Sequence, residues 1–119
     1  MGLVKRDYRK MAVAAAAAAA EKKAVDIVVL DIRKESDVAD YVVVAGAEST
    51  TQMRAVDEAV QQELKKAGLR PLRRDGPPGS RWIALDYGGL VMHILLPEAR
   101  QFYRLESLWE KPHLVKWES

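Results

Sequence analysis

Apolar and polar positions form blocks along the chain, and the blocks differ in their periodicity. Residues 25–32 and 40–45 are rich in valine and isoleucine, which predicts two strands, the second buried on both faces. Residues 50–67 carry apolar side chains at helical spacing. Ser49 and Gln52 precede this pattern as a capping box, in which each side chain binds a backbone N–H at the helix start. The first half of the chain therefore predicts two strands followed by an amphipathic helix.

A long run of alanine precedes the first predicted strand. Basic residues ahead of the run resemble the start of a signal peptide, but alanine gives little drive for membrane insertion, and Glu21 to Lys23 end the run. Alanine is the strongest helix former, so we predict a first helix over residues 6–23. The run has no apolar periodicity, and its small side chains favour close packing against a neighbouring element.

The second half of the chain predicts three further strands and a helix. Residues 69–74 form a short strand in which Pro71 cannot donate to a ladder, which places the strand at a sheet edge or the proline at a strand start. Residues 81–86 and 90–96 flank a glycine-containing turn and predict a hairpin. Residues 98–109 have a helical composition.

Strands on both sides of a helix indicate a mixed sheet with helices packed on its faces, which is an α/β (α+β) architecture. We expect about five strands and one domain over residues 1–119, because this length is typical of a single domain. No uninterrupted apolar run reaches about 18 residues, so no membrane-spanning segment is expected.

The predicted hairpin has two apolar faces, because side chains alternate along each strand. One face carries a tryptophan and a histidine among smaller apolar side chains: Trp82, Ala84, Val91, His93 and Leu95. The other face is wholly aliphatic: Ile83, Leu85, Met92 and Ile94. A turn at Tyr87–Gly88 and a turn at Gly88–Gly89 both preserve these faces. The face with Trp82 is therefore either core or a docking surface for another protein, and an exposed apolar face could also be buried in a homodimer.

Composition narrows the candidate chemistry. The chain has 119 residues and no cysteine, which excludes disulfides, thiolate zinc sites and iron–sulfur clusters. Its net charge of +2 conceals two basic segments, residues 1–24 and residues 69–81. The second segment contains four arginines that could meet RNA: Arg70, Arg73, Arg74 and Arg81. The local basicity is far below that of a dedicated nucleic-acid-binding protein.

Motifs of metal, phosphate and nucleophilic chemistry are missing from the sequence. His93 and His113 are the only histidines, and they lack the spacing of metal ligands. The loop at residues 76–79 contains two prolines, which have no N–H to offer a phosphate. Asp86 and His93 could form a base and its orienting group, but no nucleophile accompanies them. We therefore expect no catalysis, no metal and no cofactor.

An ordered series of segments resembles a known family. The segments are AVDI at 24–27, LDIR at 30–33, ADYVVV at 39–44, WIALDYG at 82–88, VMH at 91–93, EAR at 98–100 and YRLESLW at 103–109. Together they are similar to the ribosomal silencing factor family, also called Iojap-like. The resemblance covers about residues 8–109 and leaves a C-terminal tail at residues 110–119.

The resemblance implies a function that needs no reaction step. It implies a fold related to nucleotidyltransferases but without their catalytic carboxylates, in a cytoplasmic protein. It also implies a translation repressor that binds the large ribosomal subunit through ribosomal protein L fourteen. Bound there, the factor would block joining of the small subunit under nutrient limitation.

The resemblance also implies a set of partner-binding residues, centred on the hairpin and extending into the last helix: Trp82, Asp86, Tyr87, His93, Arg100, Tyr103 and Trp109. One departure is visible at the hairpin turn, where Gly89 stands in place of the usual aspartate of the family. Two alternatives from other classes remain: a nucleotide-handling enzyme on the related fold, and a direct RNA-binding module that uses the arginines of residues 69–81.

Overall fold

The computed structural model describes residues 7–77, 79–103 and 113–118. These residues form three helices and six strands, in the order α1 (Tyr8–Glu21), β1 (Val25–Asp31), β2 (Tyr41–Gly46), α2 (Thr50–Lys65), β3 (Arg73–Asp75), β4 (Trp82–Asp86), β5 (Leu90–Leu95), α3 (Pro97–Tyr103) and β6 (His113–Leu114). None of the helices in this described part of the chain has the length and apolarity that crossing a membrane requires.

The strands form one mixed sheet in the order β3-β4-β5-β2-β1-β6. Strands β2 and β5 run parallel, and the other neighbouring pairs are antiparallel. The predicted mixed sheet with helices on its faces is confirmed. It has six strands rather than about five, because His113 and Leu114 pair with the end of β1. The predicted edge strand begins only at Arg73, after Pro71, and it does lie at one edge.

Helix α1 packs closely on its neighbours, as its alanine content predicts. Ala12, Ala15, Ala16 and Ala19 have no solvent exposure, and the helix contacts α2, β1 and β2. A side chain of one methyl group keeps the helix axis close to the sheet. The start of the helix is capped by Asp7, whose Oδ1 accepts from the backbone N–H of Lys10 at 3.1 Å.

The capping box at the start of α2 forms only in part. Ser49 Oγ accepts from the backbone N–H of Gln52 at 3.0 Å, as predicted. The Gln52 side chain, however, accepts from the N–H of Glu48 at 2.7 Å rather than from that of Ser49. Its amide nitrogen donates to the carbonyls of Lys22 and Lys23 at the end of α1. Gln52 therefore ties the end of one helix to the start of the next.

The two faces of the sheet differ in what covers them. On one face, which we call the helix-packed face, α1 and α2 lie over a core that includes Val43, Met92 and Ile94. The opposite face, the Trp82 face, has a smaller cluster around Val44 that α3 joins through Ala99. Among the described hairpin residues, Trp82, Ala84, Val91 and His93 on the Trp82 face are half-buried, whereas their neighbours on the helix-packed face are buried.

Candidate functional site

The hairpin register decides which side chains meet on the Trp82 face. Trp82 pairs with Leu95, and Ala84 pairs with His93, which is the register of the Gly88–Gly89 turn. Gly88 has a φ of 92°, a conformation that glycine adopts without strain. Side chains alternate strictly between half-buried and buried along β4. The half-buried members of the hairpin, which we call the Trp82 strip, are Trp82, Ala84, Asp86, Val91 and His93.

Trp82 and His93 are joined within this strip. The indole Nε1–H donates to Nδ1 of His93 at 2.9 Å, and the ring centroids are 5.6 Å apart with the planes tilted by 55°. Because the indole can only donate, Nδ1 must be the unprotonated nitrogen and Nε2 carries the proton. Burial lowers the pKa of His93 to about 4, so the imidazole is neutral at pH 7.

Asp86 lies at the turn end of the strip. Its Oδ1 accepts from the backbone N–H of Gly88 at 2.8 Å, which stabilises the turn. The carboxylate is half-buried beside Val91, its partner on the neighbouring strand. Asp86 therefore combines a structural hydrogen bond with a position on the candidate surface.

Tyr87 does not join the other site residues on this surface. Its side chain is only 2% exposed and packs in the core of the helix-packed face. Burial raises the pKa of Tyr87 to about 12, and the negative charge of Asp57 adds to the effect. Tyr87 can support the turn from behind, but its ring is not available to a partner.

The remaining predicted residues belong to α3 and the segment after it. Arg100 is half-buried, and its Nη1 lies near Gly46, the last residue of β2. Tyr103 is the last described residue of α3, and its side chain lies outside the described residues, as does the whole of Trp109. The structure thus brings Trp82, Asp86 and His93 together on one strip. It places Arg100 beside Gly46, which lies in the same row of the sheet as Leu95 and Trp82.

A cleft beside Trp82 was missed by the sequence reasoning. It has a volume of about 710 Å³ and is lined by Gly76, Pro77, Ser80, Arg81, Trp82, Glu98 and Ala99. Gly76 has a φ of 109°, and a Cβ there would come within 2.5 Å of the carbonyl oxygen of Trp82. Close backbone approach therefore fixes one wall of the cleft. The glycine is the only local signal that the loop packs on β4.

One of the four candidate RNA-binding arginines, Arg74, instead binds a buried carboxylate within the protein. Arg74 donates to Asp57 at 2.8 Å and to the carbonyl of Gly76. Asp57 is 5% exposed and also accepts from Gln61 at 2.6 Å. A buried carboxylate needs such partners, so Arg74 serves the packing of α2 against β3.

The position of Gly89 explains the departure at the turn. A Cβ on Gly89 would lie within 2.6 Å of three ring atoms of Tyr8, which stands at the start of α1. The side-chain position at residue 89 therefore points toward the helix-packed side and not along the Trp82 strip. Among the described residues, no group of three or more His, Cys, Asp or Glu side chains is placed to hold a metal ion.

Similarity to known proteins extends over nearly the whole chain. Residues 5–118 match the family model described as "Ribosomal silencing factor during starvation". The ribosomal silencing factor RsfS of Chromobacterium violaceum is 32% identical over 109 residues, which cover 90% of this chain and 87% of that protein. That of Bacillus subtilis is 34% identical over 100 residues, with 84% and 82% covered.

A solved structure agrees with the sequence match. The crystal structure of a Chromobacterium violaceum protein superposes with a TM-score of 0.83 at 30% identity, covering 93% of this chain and 94% of that one. The ordered motifs, the mixed sheet and these matches give the same answer: the chain belongs to the ribosomal silencing factor family.

Proposed function

We propose that residues 1–119 act as one domain that binds the large ribosomal subunit through the Trp82 strip. The partner on the subunit is ribosomal protein L fourteen, and the bound factor blocks joining of the small subunit. Translation is repressed in this way under nutrient limitation, in the cytoplasm and without a catalytic step. Membership of the ribosomal silencing factor family supports the ribosomal role.

The observation that carries the docking surface is the half-buried tryptophan on an apolar strip. Trp82 packs at the margin of the cluster that includes Val44 and Leu95, and its indole is only partly covered. Tryptophan is enriched among residues that dominate binding energy, because one side chain buries a large area in a partner's pocket. Trp82 is therefore the anchor, flanked by His93 and Asp86.

The neighbouring cleft gives the anchor a polar rim of mixed charge. Arg81 and Glu98 are both exposed and line the cleft with Trp82. A polar rim around an apolar centre is the usual anatomy of a protein–protein interface. We propose that Arg100 and Tyr103 of α3, and Trp109 later in the chain, extend the contact, and that Tyr87 contributes only by supporting the turn.

The mechanism is steric. The hairpin that carries the strip is held in a six-stranded sheet with α1 and α2 packed behind it. A rigid domain fixed at the surface where the subunits meet occupies space that the small subunit requires. The exposed Arg70 and Arg73 near the sheet edge could add peripheral contact with ribosomal RNA, which would make binding weaken as salt rises.

Sedimentation with separated large subunits tests the proposal. We expect Trp82→Ala to weaken binding about 30-fold, the scale of a central interface residue. Trp117→Ala is the matched control, because Trp117 packs toward the helix-packed core and donates to the carbonyl of Ile27 at 3.3 Å. Folded Trp117→Ala should bind as the wild type does.

Equal binding by wild type and Trp82→Ala would overturn the docking surface.

Capture of isolated ribosomal protein L fourteen tests the named partner separately, and light scattering on mixed subunits tests the block on joining. Heat released on adding ATP with magnesium in calorimetry would favour the nucleotide-handling alternative. Binding to naked RNA as tight as binding to subunits would favour the RNA-binding alternative.

A further inference from the structure

Trp82 lies beyond the end of one of the two ladders that β4 forms. Strand β3 pairs with β4 only from Asp86 to Ala84, so the ladder on that side stops before Trp82. On the other side, Trp82 is opposite Leu95 and diagonal to His93. Strand β5 is thus the only neighbouring strand that reaches Trp82 in the described sheet.

His93 supplies the polar contact from that strand. The imidazole Nδ1 accepts the indole N–H at 2.9 Å, and the tilted rings are 5.6 Å apart. A tryptophan held only by apolar contacts could rotate about its side-chain torsions and would lose that freedom on binding. A hydrogen bond in the free protein removes part of this ordering cost before the partner arrives.

The contact requires a neutral imidazole. A protonated ring would place N–H donors on both nitrogens and face the indole N–H with a second donor. The burial of His93 beside Val44, its pairing partner on β2, opposes that charge and keeps Nδ1 an acceptor. Within the described residues, Trp82 and His93 thus form a matched donor and acceptor.

We propose that His93 is the positioning residue of the docking surface, holding the Trp82 indole in the orientation that the ribosomal partner receives. This inference rests on the proposed function, because it concerns the same strip. It assigns His93 a role that acts through Trp82, in addition to any direct contact. Removing the acceptor should weaken binding even where the shape of the strip is kept.

Two substitutions at residue 93 separate the acceptor from the shape. His93→Leu keeps the bulk and removes the acceptor, whereas His93→Asn can place its carbonyl oxygen near the position of Nδ1. We expect His93→Leu to bind large subunits about tenfold more weakly, the scale of one neutral hydrogen bond. We expect His93→Asn to bind within about threefold of the wild type.

The ¹H–¹⁵N resonance of the Trp82 indole reports the hydrogen bond without any ribosome. The resonance should move upfield in His93→Leu and stay near its wild-type position in His93→Asn. Thermal melting of both variants checks that their stabilities are equal. In a Trp82→Phe background, which lacks the N–H, His93→Leu should cause a clearly smaller loss of affinity than it does in the wild-type background. A merely structural role would give the same additional loss in both backgrounds.

The outcomes distinguish this inference from the function on which it rests. Wild-type affinity in Trp82→Ala would overturn the docking surface, while the indole resonance would still report the hydrogen bond. Loss of affinity in Trp82→Ala with wild-type affinity in His93→Leu would overturn only the positioning role. The positioning role would also be overturned if His93→Leu and His93→Asn lost affinity equally, at equal stability and with the indole resonance of His93→Asn at its wild-type position.

Discussion

The two faces of the β4–β5 hairpin are both largely apolar in sequence, but they differ in environment. Met92 and Ile94 on the helix-packed face have no solvent exposure, whereas Val91 and His93, one residue away, are only half-buried. The difference comes from what lies over each face. The alanine-rich α1 approaches closely enough to seal one side, and the strip on the other side keeps part of its surface accessible. Hydrophobicity alone therefore does not mark a residue as core.

Polar groups on the two faces also differ in their surroundings. On the helix-packed side, Asp57 is enclosed and bound by Arg74 and Gln61, so its charge is neutralised locally. On the Trp82 strip, the indole N–H is bonded to Nδ1 of the imidazole while both residues remain partly accessible. The first arrangement stabilises packing, and the second holds two partly exposed rings in a fixed orientation.

A cavity on the helix-packed face should lower the stability far more than a cavity on the Trp82 strip. We expect Met92→Ala to lower the free energy of unfolding by about 2–5 kcal/mol, because a fully buried side chain is removed. Val91→Ala, one residue away on the strip, should cost less than half as much. Urea unfolding of both variants measures the difference. Equal losses at the two positions would mean that the faces are equally packed.

A smaller effect on stability comes from the protonation of His93 as the pH falls. Its folded pKa of about 4 lies below the unfolded value of 6.5, so the unfolded state takes up a proton first as pH falls. The contribution of neutral His93 to the free energy of unfolding is fully present above about pH 6.5 and is lost as the pH falls from 6.5 to 4. From pH 7 to pH 5 we expect a loss of about 2 kcal/mol that His93→Asn does not show.

Denaturant unfolding of both proteins at the two pH values gives this difference directly. Carboxylates that titrate in the same range are common to both proteins and cancel in the comparison. Parallel losses in wild type and His93→Asn would show that His93 takes up protons equally in the folded and unfolded states. The imidazole would then be solvated, and the strip would be more open than the structure has it.

Local patterns predicted the elements well, because each depended on residues close in sequence. The spacing behind Ser49 gave α2, the valine run gave the central strand, and the alternation around Gly88 gave both hairpin faces. The family resemblance, carried by the order and spacing of several segments, gave the candidate site. These signals persist because helix and strand periodicity act over a few residues.

Contacts between distant segments could not be predicted in the same way. The sequence left two hairpin registers open, and only one makes Trp82 and His93 diagonal neighbours. The Arg74–Asp57 pair joins residues on different elements, and the two residues of β6 are too few to show a period. The burial of Tyr87 likewise depends on which helices cover the turn.

If the Trp82 strip, and not the opposite side of the sheet, meets the ribosome, added bulk should weaken binding only on the strip. One substitution made on each side tests it: Ala84→Gln within the strip and Ala55→Gln on α2, both replacing half-buried alanines. The measurement is the dissociation constant for large ribosomal subunits. We expect binding to be weaker by about tenfold or more for Ala84→Gln and to change by less than about twofold for Ala55→Gln. Unchanged binding by folded Ala84→Gln would contradict it.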